Sequence, residues 1–180
     1  MEQIETITAI HHPVRRRIVD HLHLCETAQV GALAAALNQQ VGSISHHLRM
    51  LERADVVERV ESPDGDKRTS WWKLKRATFT WSITDFDDSP SDRMLAREAE
   101  RANVALQLRR LDAWKKRASQ HPEWEGFSTD TLTWATPQEL TELSDALRAT
   151  LAAWTESIDT EDGQERSPVF FFAHGFPTTP

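Results

Sequence analysis

Cysteine is almost absent from this sequence. Cys25 is the single one in 180 residues, which excludes an internal disulfide, a CxxC redox pair and any Cys/His zinc pattern. Standing alone, it reads as a small buried hydrophobe. Long apolar runs are missing too: no stretch approaches the roughly eighteen residues needed to span a bilayer. The start MEQIETITAIHH lacks a basic segment followed by an apolar one, so a cytoplasmic location is expected. Only six glycines are present, and none builds a phosphate-binding loop or a nucleophile elbow; HExxH is absent as well. Without such a constellation an enzyme is not expected, and neither catalytic residues nor a cofactor are assigned.

Positive charge is also in deficit, at a net −7. The deficit is uneven. Residues 1–82 hold eleven Lys/Arg against ten Asp/Glu, with six of the eight histidines, whereas the remainder holds ten against eighteen. Only the first part is suited to a polyanion. Its basic clusters are Arg15-Arg16-Arg17 and the string Lys67, Arg68, Lys73, Lys75, Arg76.

What is present is best read from residues 41–53, VGSISHHLRMLER. Val41, Ile44, Leu48 and Leu51 fall at helical spacing and predict one apolar stripe facing a core. The opposite face carries Gly42, Ser43, His46, Arg49, Met50 and Arg53, with Ser45 and His47 at the edge. Adjacent histidines point to different places and make a poor chelate. Hydroxyl, imidazole and guanidinium groups on one face suit base edges and phosphates; a merely solvated face is the plainer reading.

The surroundings sharpen this. Pro13 opens a predicted helix to about residue 24 with Val14, Ile18 and Leu22 on one side. Thr27 is the expected cap of the next helix, whose stripe is Val30, Leu33, Ala34 and Leu37. Asn38, Gln39 and Gln40 then separate it from the helix at 41–53, a helix-turn-helix arrangement in which Asn38 suits a left-handed turn. Residues 55–74 follow as a hairpin around Pro63-Asp64-Gly65-Asp66, with Lys67 and Arg68 at its tip. Such a hairpin is a wing, and its basic residues suit phosphate.

These runs, HHPVRRRIVDHL, VGALAAAL and SISHHLRMLERADVVERVESPDGDKRTSWWKL, together resemble the winged helix-turn-helix domain of the ArsR family of bacterial transcriptional repressors over residues 8–76. The family's Ser-x-His-Leu signature corresponds to Ser45-His46-His47-Leu48, which the resemblance places on the DNA-recognition helix. Where metal-sensing members carry Cys-x-Cys, this chain has Gln29 and Gly31, and its long helix has no histidine. Metal ligands of either kind are therefore not expected, and His11, His12, His21 and His23 read as packing or surface residues. The candidate DNA contacts are Gln40, Ser43, Ser45, His46 and Arg49, with Lys67 and Arg68 from the wing.

Residues 83–180 exceed what a winged helix needs. After the polar stretch SITDFDDSPSDRM, a helix to about Ser119 carries Leu95, Ala99, Ala102 and Leu106 on one seam and Val104, Leu108 and Leu111 on another. Two seams can serve the chain's own body and a second subunit, so Leu95, Ala102 and Leu106 are the candidate dimer contacts. Thr136-Pro137-Gln138-Glu139 predicts a capping box before a helix bearing Leu140, Leu143, Leu147, Leu151 and Trp154. Strands are expected at 131–135 and within SPVFFFAHGFP. The aromatics of this region read as core and interface, or as the lining of a pocket for a small apolar effector.

The expected fold class is mainly α with small β (α+β): a winged helix-turn-helix domain over 1–82, then a dimerisation and candidate effector-binding region over 83–180 with a long helix and a small α+β unit. The expected function is a dimeric, sequence-specific DNA-binding repressor acting on a double-stranded operator. A winged-helix protein–protein interaction module without specific DNA binding is the alternative.

Overall fold

The computed structural model describes residues 3–62, 70–76, 79, 81–122, 124 and 126–179. By contact they form two units, 1–115 and 116–180.

The first unit runs α1 (Ile4–Ile10), α2 (Pro13–Cys25), β1 (Thr27–Gln29), α3 (Val30–Leu37), α4 (Val41–Arg53), β2 (Val57–Val60), β3 (Trp71–Leu74) and most of α5 (Pro90–Arg117). The strands form one antiparallel sheet in the order β1-β3-β2. Trp72 is its centre, paired with Ala28 on one side and Arg59 on the other. This is a winged helix-turn-helix on a small sheet, mainly α with little β, as the periodicities predict.

The core follows from the stripes. Ile18, Leu22, Leu33, Ile44, Leu48 and Leu51 are almost wholly buried, and they meet Val56, just before the sheet, and Val57 and Trp72 within it. Each such side chain contributes roughly 1.5–3 kcal/mol relative to leaving it exposed. A second, smaller cluster joins Ile7 of α1 to Phe86, Ala96 and Ala99. The stretch after residue 82 is thus more than a polar linker: Ser82 caps a 3-10 turn at Ile83–Phe86 in a reciprocal box with Asp85, and the turn buries Phe86. Phe86, Ala96 and Ala99 complete the packing on α1, and the contact division falls at residue 116.

Three local expectations are corrected. Thr27 does not cap α3; it lies in β1 opposite Lys73, and Gln29 takes the N-cap without a side-chain bond. A β-branched residue beside an available sheet edge gains more from pairing than from capping. Cys25 is exposed, because the last turn of α2 runs past the core that Ile18 and Leu22 enter. Val41 is 56% exposed: it sits at the edge of its stripe in the first turn of α4, beyond the reach of the core.

The second unit contains α6 (Pro137–Glu156), started by the expected capping box, in which the Thr136 amide donates to Glu139 Oε2 at 2.7 Å and the Glu139 amide to Thr136 Oγ1 at 3.2 Å. Gly175 brings the tail against this helix, since a Cβ there would lie 2.7 Å from Leu140 Cδ1. The expected strands at 131–135 and in the apolar tail do not form among the described residues. Leu132 and Trp134 are 74% and 93% exposed, so the alternating stretch has no surface to bury its apolar side against.

Candidate nucleic-acid interface

The helix that would read DNA is fixed on its inner side and open on its outer side. The turn before α4 depends on Asn38, which adopts φ 50° and ψ 55°, a left-handed conformation that asparagine tolerates. There the Gln39 amide donates to the Ala34 carbonyl at 2.9 Å, closing the end of α3. From α2, the Arg17 guanidinium donates to the Leu37 carbonyl at 2.7 Å. At the far end of α4, the buried Thr6 hydroxyl donates to the Ala54 carbonyl at 2.8 Å. With Ile44, Leu48 and Leu51 buried, these bonds set both position and rotation of the helix.

On the outer side, Gln40, His46 and Arg49 are exposed, and Ser43 and Ser45 are partly buried. The five predicted contacts on this helix thus include three with open access and two nearer the helix flank. Gln40 makes no side-chain cap bond, which leaves its amide free to act as a donor and acceptor. Val41, assigned to the core by its spacing, instead adds an apolar group to the leading turn. An exposed methyl pair at that place suits a thymine methyl. The predicted wing contacts Lys67 and Arg68 lie outside the described residues.

His47 turns inward. Its ring lies 5.0 Å from that of His12 at the start of α2 and 5.5 Å from that of His46. The Nδ1 atoms of His12 and His47 are both shielded from solvent without a hydrogen-bond partner. Burial lowers the pKa of each, with Arg15 adding to the effect on both and His12 and His46 on His47. At neutral pH this pair is therefore uncharged packing between α2 and α4. His11 lies against Trp81 at 5.8 Å, and burial, with a contribution from Arg16, lowers its pKa to about 4.

The basic clusters are used differently from what composition suggests. Arg15 donates to the carbonyls of Ala9 at 2.7 Å and Thr8 at 3.3 Å, and so closes α1. Arg16 binds Asp20 at 3.0 Å and Asn103 of α5 at 3.2 Å, while Arg110 also reaches Asp20. Arg17 closes α3. All three are internal fastenings: Arg16 is held by side chains of α2 and α5, whereas Arg15 and Arg17 lie beside helix C-termini, where carbonyl oxygens have no intrahelical partner. In the sheet, Lys73 pairs with Glu58 at 3.2 Å, Lys75 with Asp55, and Arg59 lies 4.9 Å over Trp72. The exposed pairs are weak enough to yield to a phosphate. Arg49 and Arg53 of α4 have no carboxylate partner among the described residues. No three His, Cys, Asp or Glu side chains among the described residues come together as a metal-ligand group.

Residues 10–60 match the family described as a helix-turn-helix domain. That span takes in α2, α3, the Asn38 turn, α4 and β2, and the match supports a DNA-binding transcription regulator. No curated protein matches the chain. Among solved structures, the apo form of a double mutant of Lactococcus lactis ZitR is similar at 12% identity, with 80% of this chain and 83% of that chain covered and a TM-score of 0.38. A likeness so slight assigns neither fold nor function. No helix among the described residues is long and apolar enough to cross a membrane.

Proposed function

We propose that the chain is a cytoplasmic, homodimeric, ArsR-like repressor without a metal site, which reads a palindromic operator by placing α4 in the major groove. The observation that carries this reading is the outer face of α4. It presents His46 and Arg49 on the side away from the core, with Gln40 and Val41 exposed at the leading end of the helix, while Ile44, Leu48 and Leu51 are locked into the core. Hydrogen-bonding groups and an apolar contact at fixed spacing are what base discrimination requires, at roughly 1–3 kcal/mol for each good bidentate contact. The hairpin β2–β3 serves as the wing, with Lys67 and Arg68 on phosphate.

A single winged helix reads a short half-site, and two-fold symmetry doubles it. In this reading α5 supplies the dimer contact. Its inner residues Ala96 and Ala99 are buried within the chain, whereas Leu95 and Leu106 are half-buried and Ala102, Met94, Leu108 and Leu111 are exposed. The exposed apolar residues would be covered by the second copy. No enzymatic activity is assigned.

The test compares contact variants on a selected operator. His46→Ala and Arg49→Ala should each reduce discrimination between operator and unrelated duplex by about 5- to 150-fold with unfolding unchanged. Lys67→Ala with Arg68→Ala should weaken binding to all sequences and flatten its salt dependence. If both α4 variants keep the wild-type site preference, the assignment of α4 as the reading helix is wrong.

A further inference from the structure

Two imidazole rings meet between α2 and α4 without a bond to hold them. His12 is the N-cap residue of α2, and His47 lies in the middle of α4. Their centroids stand 5.0 Å apart at an interplanar angle of 38°. Both Nδ1 atoms are shut off from solvent and have no hydrogen-bond partner. A shielded polar atom without a partner is uncommon in a packed interface, and here one stands on each side of the same contact. Neutral rings can stack in this way. A charged ring cannot stay without cost, because an ion removed from water needs a counter-charge or a hydrogen bond.

The surroundings supply no counter-charge. Arg15 of α2 acts on both rings, and His12 and His46 act on His47; no carboxylate is among these groups, and among the described residues α1, α3 and the sheet add no charge to either ring. Arg15 is not free to swing aside, because the carbonyls of Ala9 and Thr8 in α1 hold its guanidinium at 2.7 Å and 3.3 Å. Burial, the largest cause, and these positive neighbours keep both rings below the ordinary histidine value of 6.5. A lowered value in the closed contact means that the parted rings take up the proton first. The contact is therefore complete above about pH 6.5 and is lost as pH falls through the lowered values. Its position gives the loss a consequence. The exposed His46 stands beside His47 with its ring 5.5 Å away, and Arg49 is two residues further on. The far end of α4 stays fastened by the Thr6 bond to Ala54, so parting the rings disturbs the middle of the helix, where its outward side chains are carried.

We propose that His12 and His47 form an acid-sensitive joint beneath α4: neutral, the two rings seat the helix on α2, and a proton on either parts them, displaces His46 and Arg49 and releases the operator. This rests on the reading of α4 as the helix that contacts DNA and adds a means of regulating it. The ligand that regulates is the proton, and no effector pocket is required.

The full chain is followed by NMR between pH 7.5 and pH 5.5, reading the imidazole carbons of His12 and His47 together with the hydrogen-exchange protection of α3 and α4. His11 stays neutral over this interval. Protection of α4, corrected for intrinsic exchange, should fall as the two rings take up protons, while that of α3 holds. Preference for an operator selected at pH 7.5 over an unrelated duplex, at constant salt, should fall by up to about tenfold per pH unit below 6.5 for each proton taken up. In a chain carrying His12→Asn and His47→Gln the preference should persist at pH 5.5. Asparagine is a good N-cap and glutamine a good helix former; if the variant nevertheless fails to fold, the protection of α4 in the wild type decides alone. His46 is present in both chains, so its own titration is common to them. Equal pH dependence of the two chains overturns the joint, as does protection of α4 that is unchanged while the rings titrate. Operator preference that rises on acidification in the wild type alone also overturns it, and would make the rings phosphate contacts. A wild type that selects no duplex at pH 7.5 removes the reading of α4, while its protection factors still decide whether the rings seat the helix.

Discussion

Acidification should weaken the first unit through His11, and the size of the effect follows from where the ring sits. His11 follows α1, packs edge-on against Trp81 at 5.8 Å, and has its pKa lowered from 6.5 to about 4 by burial and by Arg16. Trp81 in turn lies 6.4 Å from Phe86, so the ring is part of the packing that joins α1 to the start of α5. A folded-state pKa below the unfolded value means that the unfolded chain binds the proton first. The stabilising contribution of the neutral ring is complete above about pH 6.5 and is lost as pH falls toward 4. The full displacement corresponds to about 3 kcal/mol, with about 2.5 kcal/mol of it gone by pH 4.5. Urea unfolding of the wild type and of His11→Phe, at pH 7.5 and pH 4.5, isolates this group because every other titration is common to both. The wild type should lose about 2.5 kcal/mol more than the variant over that interval. Equal losses would mean that the His11 ring contributes nothing to the acid sensitivity, and a larger loss in the variant would mean that the charged ring stabilises the fold.

Two further substitutions separate structure from DNA contact. Thr6→Val removes the buried bond to the Ala54 carbonyl and should cost about 1–3 kcal/mol, read as a lower urea midpoint at unchanged m-value. Arg17→Ala releases the Leu37 carbonyl at the turn and should cost about 1–2 kcal/mol of stability. Its operator binding should keep the wild-type salt slope, since Arg17 neutralises no phosphate; a slope reduced by about one would return Arg17 to the DNA face.

The parts legible in the sequence were those with a local cause. The helix at 41–53 has one period and one buried side; Asn38 marks a left-handed turn; Thr136, Pro137 and Glu139 start a helix by themselves. Elements that depend on distant residues were not legible. The strand β1 is three residues long and exists because Lys73, Trp72 and Trp71 lie beside it, so Thr27 looked like a cap. Arg15, Arg16 and Arg17 looked like a polyanion site because composition displays charge and hides the carbonyls of Ala9 and Leu37. On α5 the buried residues are the small Ala96 and Ala99, which carry a weak apolar signal, and the larger leucines drew attention to the outer side. Val41 joined the stripe by spacing, but a helix end can outrun the core that its period predicts. The alternation at 131–135 is a strand pattern without a partner strand.

Whether this chain reads a DNA sequence through α4 is decided by its binding to a duplex selected from a random pool. The duplex is measured at two salt concentrations against an unrelated competitor, with Arg49→Ala in parallel. A selected palindrome, affinity that falls as salt rises, and loss of preference in the variant are the expected results. Enrichment of no sequence, with binding that is equally weak to every duplex at both salts, would contradict that reading of α4 and favour a winged-helix module that binds protein.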